Sequence, residues 1–138
     1  MDNKKAYMLA AAIALTDSAV KGFIKKPPVR NYGFAGNKLD SHPRAVSYIS
    51  AALTGVAAVA MAYAPDRMKL PMAMLLGGAL SNTADRLIRG YVVDYIPMGK
   101  GYYGNISDLA IFLGSGAGAA LYLLEAGDPQ GSDDIISA

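Results

Sequence analysis

The sequence predicts an all-α membrane protein built from four transmembrane helices. Hydrophobic residues make up 53% of the 138 residues, and charged residues make up only 17%. Mean hydropathy is positive, which is unusual for an ordinary soluble domain. The apolar residues fall into four segments of about 18–20 residues, a length that matches the hydrocarbon thickness of a bilayer at about 1.5 Å of rise per residue. The chain is long enough for a single integral domain, residues 1–138.

The connections between the predicted helices differ in length. The helices are expected at about residues 6–24, 45–64, 70–88 and 109–126. A tight turn joins the second helix to the third, whereas the first and second are separated by the long stretch from Lys25 to Arg44. A loop of that length in a small protein is usually functional. With four spans, this loop and the connection over residues 89–104 lie on the same side, and the polar tail 127–138 is expected to be frayed.

Small and polar residues inside the apolar segments indicate how the helices behave. Glycines in the third and fourth segments predict close helix packing; they are Gly77, Gly78, Gly114, Gly116 and Gly118. Asp17 and Lys21 interrupt the first segment, and no small-residue cleavage pattern follows it. We therefore expect that segment to remain a helix rather than to be removed as a signal peptide.

Composition excludes several kinds of chemistry. The chain has no cysteine, so a disulfide, a thiol nucleophile and a cysteine metal site are impossible. Its single histidine, His42, excludes a metal site with several histidines. A net charge of +2 is too small to indicate nucleic-acid binding. The composition therefore excludes cysteine-based and multi-histidine metal sites, and hydrolysis by paired carboxylates, described below, would need no metal and no cofactor.

Basic residues are distributed unevenly between the two sides of the predicted bundle. The side with the N-terminus and the short turn carries Lys4, Lys5, Arg67 and Lys69. The side with the two longer loops carries Lys25, Lys26, Arg30, Lys38, Arg44 and Lys100. The positive-inside rule, applied to these residues, would place the N-terminus outside. A basic loop lying along anionic headgroups would produce the same excess, so charge alone does not fix the orientation.

Polar residues cluster where the third helix ends and the fourth begins. Asn82, Asp85, Arg86 and Arg89 are spaced to share one face of the third helix. Asp85 is expected to form a structural ion pair with Arg86 or Arg89. Asn105 and the acid three residues later have the spacing of a helix-capping pair.

Two carboxylates, Asp94 and Asp108, are left without an obvious cationic partner. Carboxylates facing each other at a membrane surface can share one proton. One then acts as a general base on water, and the other acts as a general acid on a carbonyl oxygen. Such a pair titrates as a unit. The sequence therefore favours hydrolysis by paired aspartates.

The same segments resemble the signature of the lipoprotein signal peptidases (signal peptidase II). The matching segments are Gly-Ala-Leu-Ser-Asn-Thr-Ala-Asp-Arg at 78–86, Gly-Tyr-Val-Val-Asp-Tyr-Ile at 90–96 and Asn-Ile-Ser-Asp at 105–108. Asp17 and Lys21 match the family's Asp-x-x-x-Lys, and residues 31–35 resemble its Asn-x-Gly-Ala-Ala-Phe loop. The sequence departs from the family at Ser107, usually alanine, and at Ser18, usually glutamine. Its connections from Lys21 to Asn31 and from Asp94 to Asn105 are also shorter than usual.

The resemblance implies a four-helix membrane aspartyl endopeptidase of the bacterial inner (cytoplasmic) membrane, with its site near the extracytoplasmic face. The implied substrates are prolipoproteins that carry diacylglycerol on the lipobox cysteine and are cut just before it. The implied partners are this substrate and membrane lipids, with no nucleic acid, and the protein is expected to be a monomer. A small β-like cradle between helices 1 and 2 and a flap-like segment between helices 3 and 4 are also implied.

The resemblance also implies a role for each residue of the site. The catalytic pair is Asp94 and Asp108. The residues that order the site are Asn82, Asp85, Arg86 and Asn105. The substrate-binding group is Asn31, Gly33, Asp17 and Lys21, of which the last two also buttress the bundle from the first helix.

Two other classes of function use the same residues. Membrane carboxylates also mark proton relays and ion paths, so a small transport protein is an alternative. A structural subunit whose polar residues hold helices together is another. The clustering of Asp85, Asp94 and Asp108 at the membrane edge favours a reaction at the surface, because a transporter would need its acids near the middle of the membrane.

Overall fold

The computed structural model describes residues 1–34 and 38–127, and in them four long helices carry two small antiparallel sheets. The helices are α1 (Asn3–Phe23), α2 (Pro43–Tyr63), α3 (Asp66–Arg89) and α4 (Ile106–Ala126). The strands are β1 (Val29–Asn31), β2 (Val92–Asp94), β3 (Ile96–Gly99) and β4 (Tyr102–Gly104). Two parts of the predicted organisation, Ala35 of the first loop and residues 128–138 of the tail, lie outside the described residues.

Helix α3 is the central helix, because it packs against α1, α2 and α4. Glycines permit the closest approaches. A Cβ atom added at Gly77 would lie 2.7 Å from the carbonyl oxygen of Ala10 in α1. One added at Gly78 would overlap the backbone of Ser107 in α4, and Gly114 of α4 lies against the backbone of α3. The predicted role in packing is confirmed for these three glycines, whereas Gly116 faces open space.

The bundle buries charged side chains beside a small apolar core and exposes many large apolar side chains. Asp17 and Lys21 of α1 are 0% and 1% exposed, while Phe112 of α4 is 75% exposed. This is the reverse of a soluble protein, where large exposed apolar surfaces are rare. Helices α2 and α4 are long and apolar enough to cross a membrane by length and composition.

All four helices begin two to four residues earlier than the apolar pattern predicts. Helix α3 begins at Asp66 rather than near Leu70, so the predicted turn over residues 65–69 is largely its first helical turn. Helix α4 begins at Ile106, because the side chain of Asn105 accepts a hydrogen bond from the backbone of Asp108 and caps the helix. The predicted capping pair is therefore present. A search for apolar segments misses such polar first turns.

The two sheets join the loops at one end of the bundle. Strand β1 pairs with β2 so that Val29 lies opposite Asp94 and Asn31 lies opposite Val92. Strands β3 and β4 form a hairpin whose turn contains residues with positive φ, Gly99, Lys100 and Gly101. This end, where α1 and α3 finish and α2 and α4 begin, is called the cleft end below. The other end of the bundle is called the far end.

Candidate active site

Asp94 and Asp108 open onto the same cleft at the cleft end. Asp94 is the last residue of β2, and Asp108 lies in the first turn of α4. The cleft has a volume of about 480 Å³. Its other walls include Asn31, Asn82, Arg86, Val92, Met98, Tyr102, Tyr103, Ile111 and Phe112. The two carboxylates that sequence motifs singled out therefore share one space with side chains from both sheets.

The Asp94 side chain is held by two amides. Its Oδ1 accepts a hydrogen bond of 3.0 Å from Asn105 Nδ2, and its Oδ2 accepts one of 3.2 Å from Asn31 Nδ2. Asn31 reaches Asp94 because β1 pairs with β2. Only 2% of Asp94 is exposed. The short β1–β2 pair thus fixes the direction in which this carboxylate points.

The Asp108 side chain is held at the start of α4. Its Oδ1 accepts a hydrogen bond of 2.9 Å from Asn82 Nδ2, and its Oδ2 accepts one of 3.1 Å from the backbone N–H of Asn105. The side chain of Asn105 also donates to Asn82 Oδ1 at 3.0 Å. Asn105 therefore contacts both carboxylates, one through its side chain and the other through its backbone.

Burial and a neighbouring charge raise the pKa of Asp94 to about 6. Burial is the larger cause, because it removes the water that solvates the charged form. The negative charge of Asp108 acts in the same direction, while the bond from Asn31 and the positive charge of Lys21 oppose it. Asp94 is therefore a carboxyl group that retains its proton more strongly than a free aspartate.

The two acids of the cleft have no ion-pair partner among the described residues. Arg86 lines the cleft beside them, but its guanidinium donates to the carbonyl oxygen of Gly33 at 3.0 Å and lies 5.4 Å from the centre of the Phe34 ring. The predicted loop residue Gly33 is thus tied to the site through its backbone.

Asp85 forms the predicted structural ion pair, and its partner is Arg89 at 2.6 Å. Lys21 lies 3.1 Å from the other oxygen of Asp85. That oxygen also accepts a hydrogen bond of 3.0 Å from the backbone N–H of Val93, the residue before Asp94. Asp85 therefore positions strand β2 without lining the cleft.

Asp17 and Lys21 lie behind the cleft rather than in its wall. Lys21 Nζ is 2.7 Å from Asp17 Oδ2 and donates to Asn82 Oδ1 at 2.9 Å. Both side chains are 0% exposed. Because Asn82 in turn holds Asp108, the first helix supports the site through one intermediate side chain.

Three further residues of this interior were not assigned from the sequence. Tyr95 donates to Asp17 Oδ1 at 2.7 Å, and Ser81 and Ser107 donate to Asp17 Oδ2 at 2.8 and 2.5 Å. Burial, together with the bond to Asp17, raises the pKa of Tyr95, so its hydroxyl stays a donor. For Ser81 and Ser107 the signal in the sequence was a small polar residue in an apolar helix, whereas Tyr95 lies between two strands and gave no such signal.

An apolar cavity of about 410 Å³ adjoins the cleft between α2, α3 and α4. It shares Asn82, Arg86, Asp108 and Ile111 with the cleft. Its remaining walls are mainly apolar, with Phe34, Leu53, Ala57, Leu75 and Ala79. A polar cleft that continues into an apolar cavity suits a ligand that has both a polar and a hydrocarbon part.

Comparisons with known proteins agree on one family. The family model described as signal peptidase (SPase) II, Peptidase_A8, matches residues 2–124. A lipoprotein signal peptidase of Alteromonas mediterranea is 32% identical over 137 residues, which cover 91% of this chain and 73% of the relative. One of Shewanella oneidensis is 45% identical over 53 residues, which cover 36% of this chain but only 31% of the relative's length. A solved bacterial membrane enzyme has the same fold, with a TM-score of 0.76 at 21% identity over 91% of this chain and 92% of that one.

Proposed function

Because the chain belongs to the signal peptidase II family, we propose that it is an aspartic-type lipoprotein signal peptidase and that Asp94 and Asp108 are its catalytic pair. The observation that carries this assignment is the shared cleft, in which Asn105 contacts both carboxylates. The four residues proposed to order the site are Asn82, Asp85, Arg86 and Asn105.

The surroundings assign different protonation states to the two acids. Asp94 is the acid proposed to carry the shared proton, because burial and the charge of Asp108 raise its pKa to about 6, closer to neutrality than that of a free aspartate. Asp108 is the acid proposed to act as the base, because it accepts a backbone N–H at the N-terminus of α4, where the helix dipole favours a negative charge. One negative charge on the pair then faces one positive charge on Arg86, so the cleft is close to neutral.

This protonation state supports a two-step hydrolysis. In the first step the oxygen of a water molecule attacks the carbonyl carbon of the scissile peptide bond while Asp108 takes a proton from that water. Asp94 donates its own proton to the carbonyl oxygen. In the second step Asp94 takes back a hydroxyl proton from the tetrahedral diol as the carbonyl reforms, the C–N bond breaks, and the proton held by Asp108 passes to the leaving amine. The pair needs no covalent intermediate in this scheme.

The loops at the cleft end are proposed to hold the substrate peptide. Strands β1 and β2 form the cradle, with Asn31 and Gly33 beside the cleft. The β3–β4 hairpin is the flap, since Met98, Tyr102 and Tyr103 line the opposite wall. Asp17 and Lys21 support substrate binding from behind by fixing Asn82.

The substrate is proposed to be a prolipoprotein with diacylglycerol on its lipobox cysteine, cut just before that residue. The cleft suits the peptide, and the adjoining apolar cavity suits the hydrocarbon chains of the lipid. Both spaces meet at Asn82, Arg86 and Asp108, so a lipid-modified residue next to the scissile bond would place its bond at the pair. A lipid-modified substrate explains why a protease would carry such a cavity.

All four helices are proposed to span the bacterial inner membrane as a single monomeric domain, with the cleft near the extracytoplasmic face. The large exposed apolar side chains of α1 and α3 as well as of α2 and α4 support this arrangement. Among them, Phe23 of α1 is 87% exposed and Ile88 of α3 is 83% exposed. Such residues need lipid around all four helices.

A gel-shift assay with purified protein and a diacylglyceryl-modified lipobox peptide tests the proposal. Asp94→Asn and Asp108→Asn are each expected to abolish cleavage while leaving the helical content unchanged. Asp66→Asn, at the far end and with its side chain 76% exposed, is the matched control and should cleave normally. Full cleavage by either cleft variant, or ion flux in proteoliposomes without cleavage, would refute the assignment.

A further inference from the structure

The cleft end of the bundle carries an excess of exposed cations. They are Lys25, Lys26, Arg30, Lys38, Arg44 and Lys100. No ion pair among the described residues includes any of these six side chains. The mechanism of peptide hydrolysis does not use them either. A surface with this excess of positive charge attracts negatively charged partners.

At the far end, three of the basic residues have partners within the protein. Lys5 lies 3.7 Å from Asp2, and Arg67 forms an ion pair with Glu125. Lys69 is buried and donates to the carbonyl oxygen of Ala64 at 2.7 Å. Lys5, Arg67 and Lys69 at the far end therefore find partners within the protein, whereas none of the six cations at the cleft end forms an ion pair among the described residues.

A groove between the ends of α2 and α3 lies within this cationic surface. Its volume is about 390 Å³, and both Arg44 and Arg86 line it. The Nε atom of Arg86 is buried and has no hydrogen-bond partner among the described residues. The outer rim is formed by Tyr48, which is 71% exposed, and Leu87, which is 57% exposed. The groove thus combines two cationic groups with an apolar rim.

Exposed tyrosines place this surface at the depth of lipid headgroups. Tyr32, Tyr48 and Tyr102 are 39%, 71% and 60% exposed at the cleft end. Tyrosine is enriched at membrane–water interfaces, and long basic side chains near helix ends extend towards the headgroups. A phosphate at that depth would meet the guanidinium groups while its acyl chains passed the apolar rim.

We propose that this groove binds the phosphate of an anionic phospholipid and that the surrounding cations hold the cleft end against an anionic leaflet. The proposal depends on membrane insertion and is independent of which residues hydrolyse the peptide. It also explains why the predicted extracytoplasmic loops carry the basic residues that the positive-inside rule would place in the cytoplasm. In this account those residues are retained because they bind lipid.

Lipid retention measured by native mass spectrometry tests the proposal. Protein reconstituted in mixed phosphatidylglycerol and phosphatidylcholine bilayers is expected to retain phosphatidylglycerol preferentially after extraction. Arg44→Gln should lower that preference about fivefold, the effect of one cation close to an anionic surface. Arg44→Lys, which keeps the charge, should keep most of it, and Arg67→Gln at the far end should change nothing.

Three results would overturn the proposal. They are equal retention of the two lipids, a full preference in Arg44→Gln, and displacement of the lipid by an equal concentration of inorganic phosphate, which would indicate a site for free anions. Asp94→Asn is expected to keep the lipid preference while losing cleavage. Failure of this proposal and failure of the proposed function are thus distinguished in the same set of proteins.

Discussion

Two groups of buried aspartates in this protein have nearly the same exposure and opposite surroundings. Asp17, 0% exposed, lies 2.7 Å from Lys21 and accepts three further hydroxyl hydrogen bonds. Asp94, 2% exposed, has no ion-pair partner in the described part of the chain and accepts bonds only from two amides. The comparison separates a carboxylate stabilised as an ion from a carboxyl group that remains able to gain and lose a proton.

The difference is one of charge balance. Behind the cleft, Asp17 and Asp85 face Lys21 and Arg89, so each negative charge has a positive one. In the cleft, two acids face one arginine, and neutrality then requires one proton on the pair. The ion-paired aspartates, Asp17 and Asp85, hold α1 and β2 in place. We propose that the aspartates without ion pairs, Asp94 and Asp108, carry out the reaction.

The matched substitutions Asp17→Asn and Asp94→Asn give the largest expected effects. Asp94→Asn should reduce cleavage by about a thousandfold or more, because a reacting group is lost, while its thermal stability at neutral pH is kept. Asp17→Asn should lower the free energy of unfolding by about 3 kcal/mol or more, because Lys21 loses its nearest counter-charge in a buried site. Cleavage rates and thermal unfolding of both variants at neutral pH check this prediction. Equal loss of stability in the two would remove the distinction between the groups.

The pH dependence of stability gives the next effect. Asp94 has a pKa of about 6 in the folded protein against 3.8 as the reference value. Because the folded state binds this proton more tightly, its contribution to stability is complete below about pH 4 and is lost as pH rises through about 6. Across this pH range the contribution of Asp94 to the free energy of unfolding changes by about 3 kcal/mol. Thermal unfolding of the native protein and of Asp94→Asn from pH 4 to 7 measures it, and parallel curves would contradict it.

Ser107→Ala gives the smallest effect and tests the hydrogen bonds around the ion-paired Asp17. Removing the Ser107 hydroxyl takes one of four donors from Asp17 and should cost about 1 kcal/mol of stability. Cleavage should stay within a few-fold of the native rate, because Asp17 keeps Lys21, Ser81 and Tyr95. Thr16→Ala, whose hydroxyl bonds only within α1, is the control for unfolding measurements. A large loss of cleavage in Ser107→Ala would contradict this prediction, because it would show that the reaction depends on the hydrogen bond from Ser107 to Asp17.

Local sequence patterns predicted the features that depend on neighbours along the chain. The cap of α4 by Asn105 and the ion pair of Asp85 with Arg89 follow from spacings of three and four residues. The glycine contacts of α3 follow from the density of small residues in it. These interactions are set within one or two helical turns, so a single segment contains all the information.

Contacts between distant segments could not be predicted in this way. Asn31 reaches Asp94 only through the pairing of β1 with β2, and two three-residue strands give almost no sequence signal. The convergence of Tyr95 and Ser107 on Asp17 depends on how three helices pack around α3. The first turn of α3 is polar, so the apolar pattern does not predict it.

The most direct test of the central claim is the pKa of Asp94 measured in the native protein and in Asp108→Asn. Isotope-labelled aspartate carboxyl groups, observed by NMR during a pH titration, give both values. The account predicts a value near 6 in the native protein and a lower one in the variant, still above 3.8 because burial remains. An unchanged pKa in Asp108→Asn would show that the two carboxyl groups do not interact, and the paired-aspartate mechanism would then be wrong.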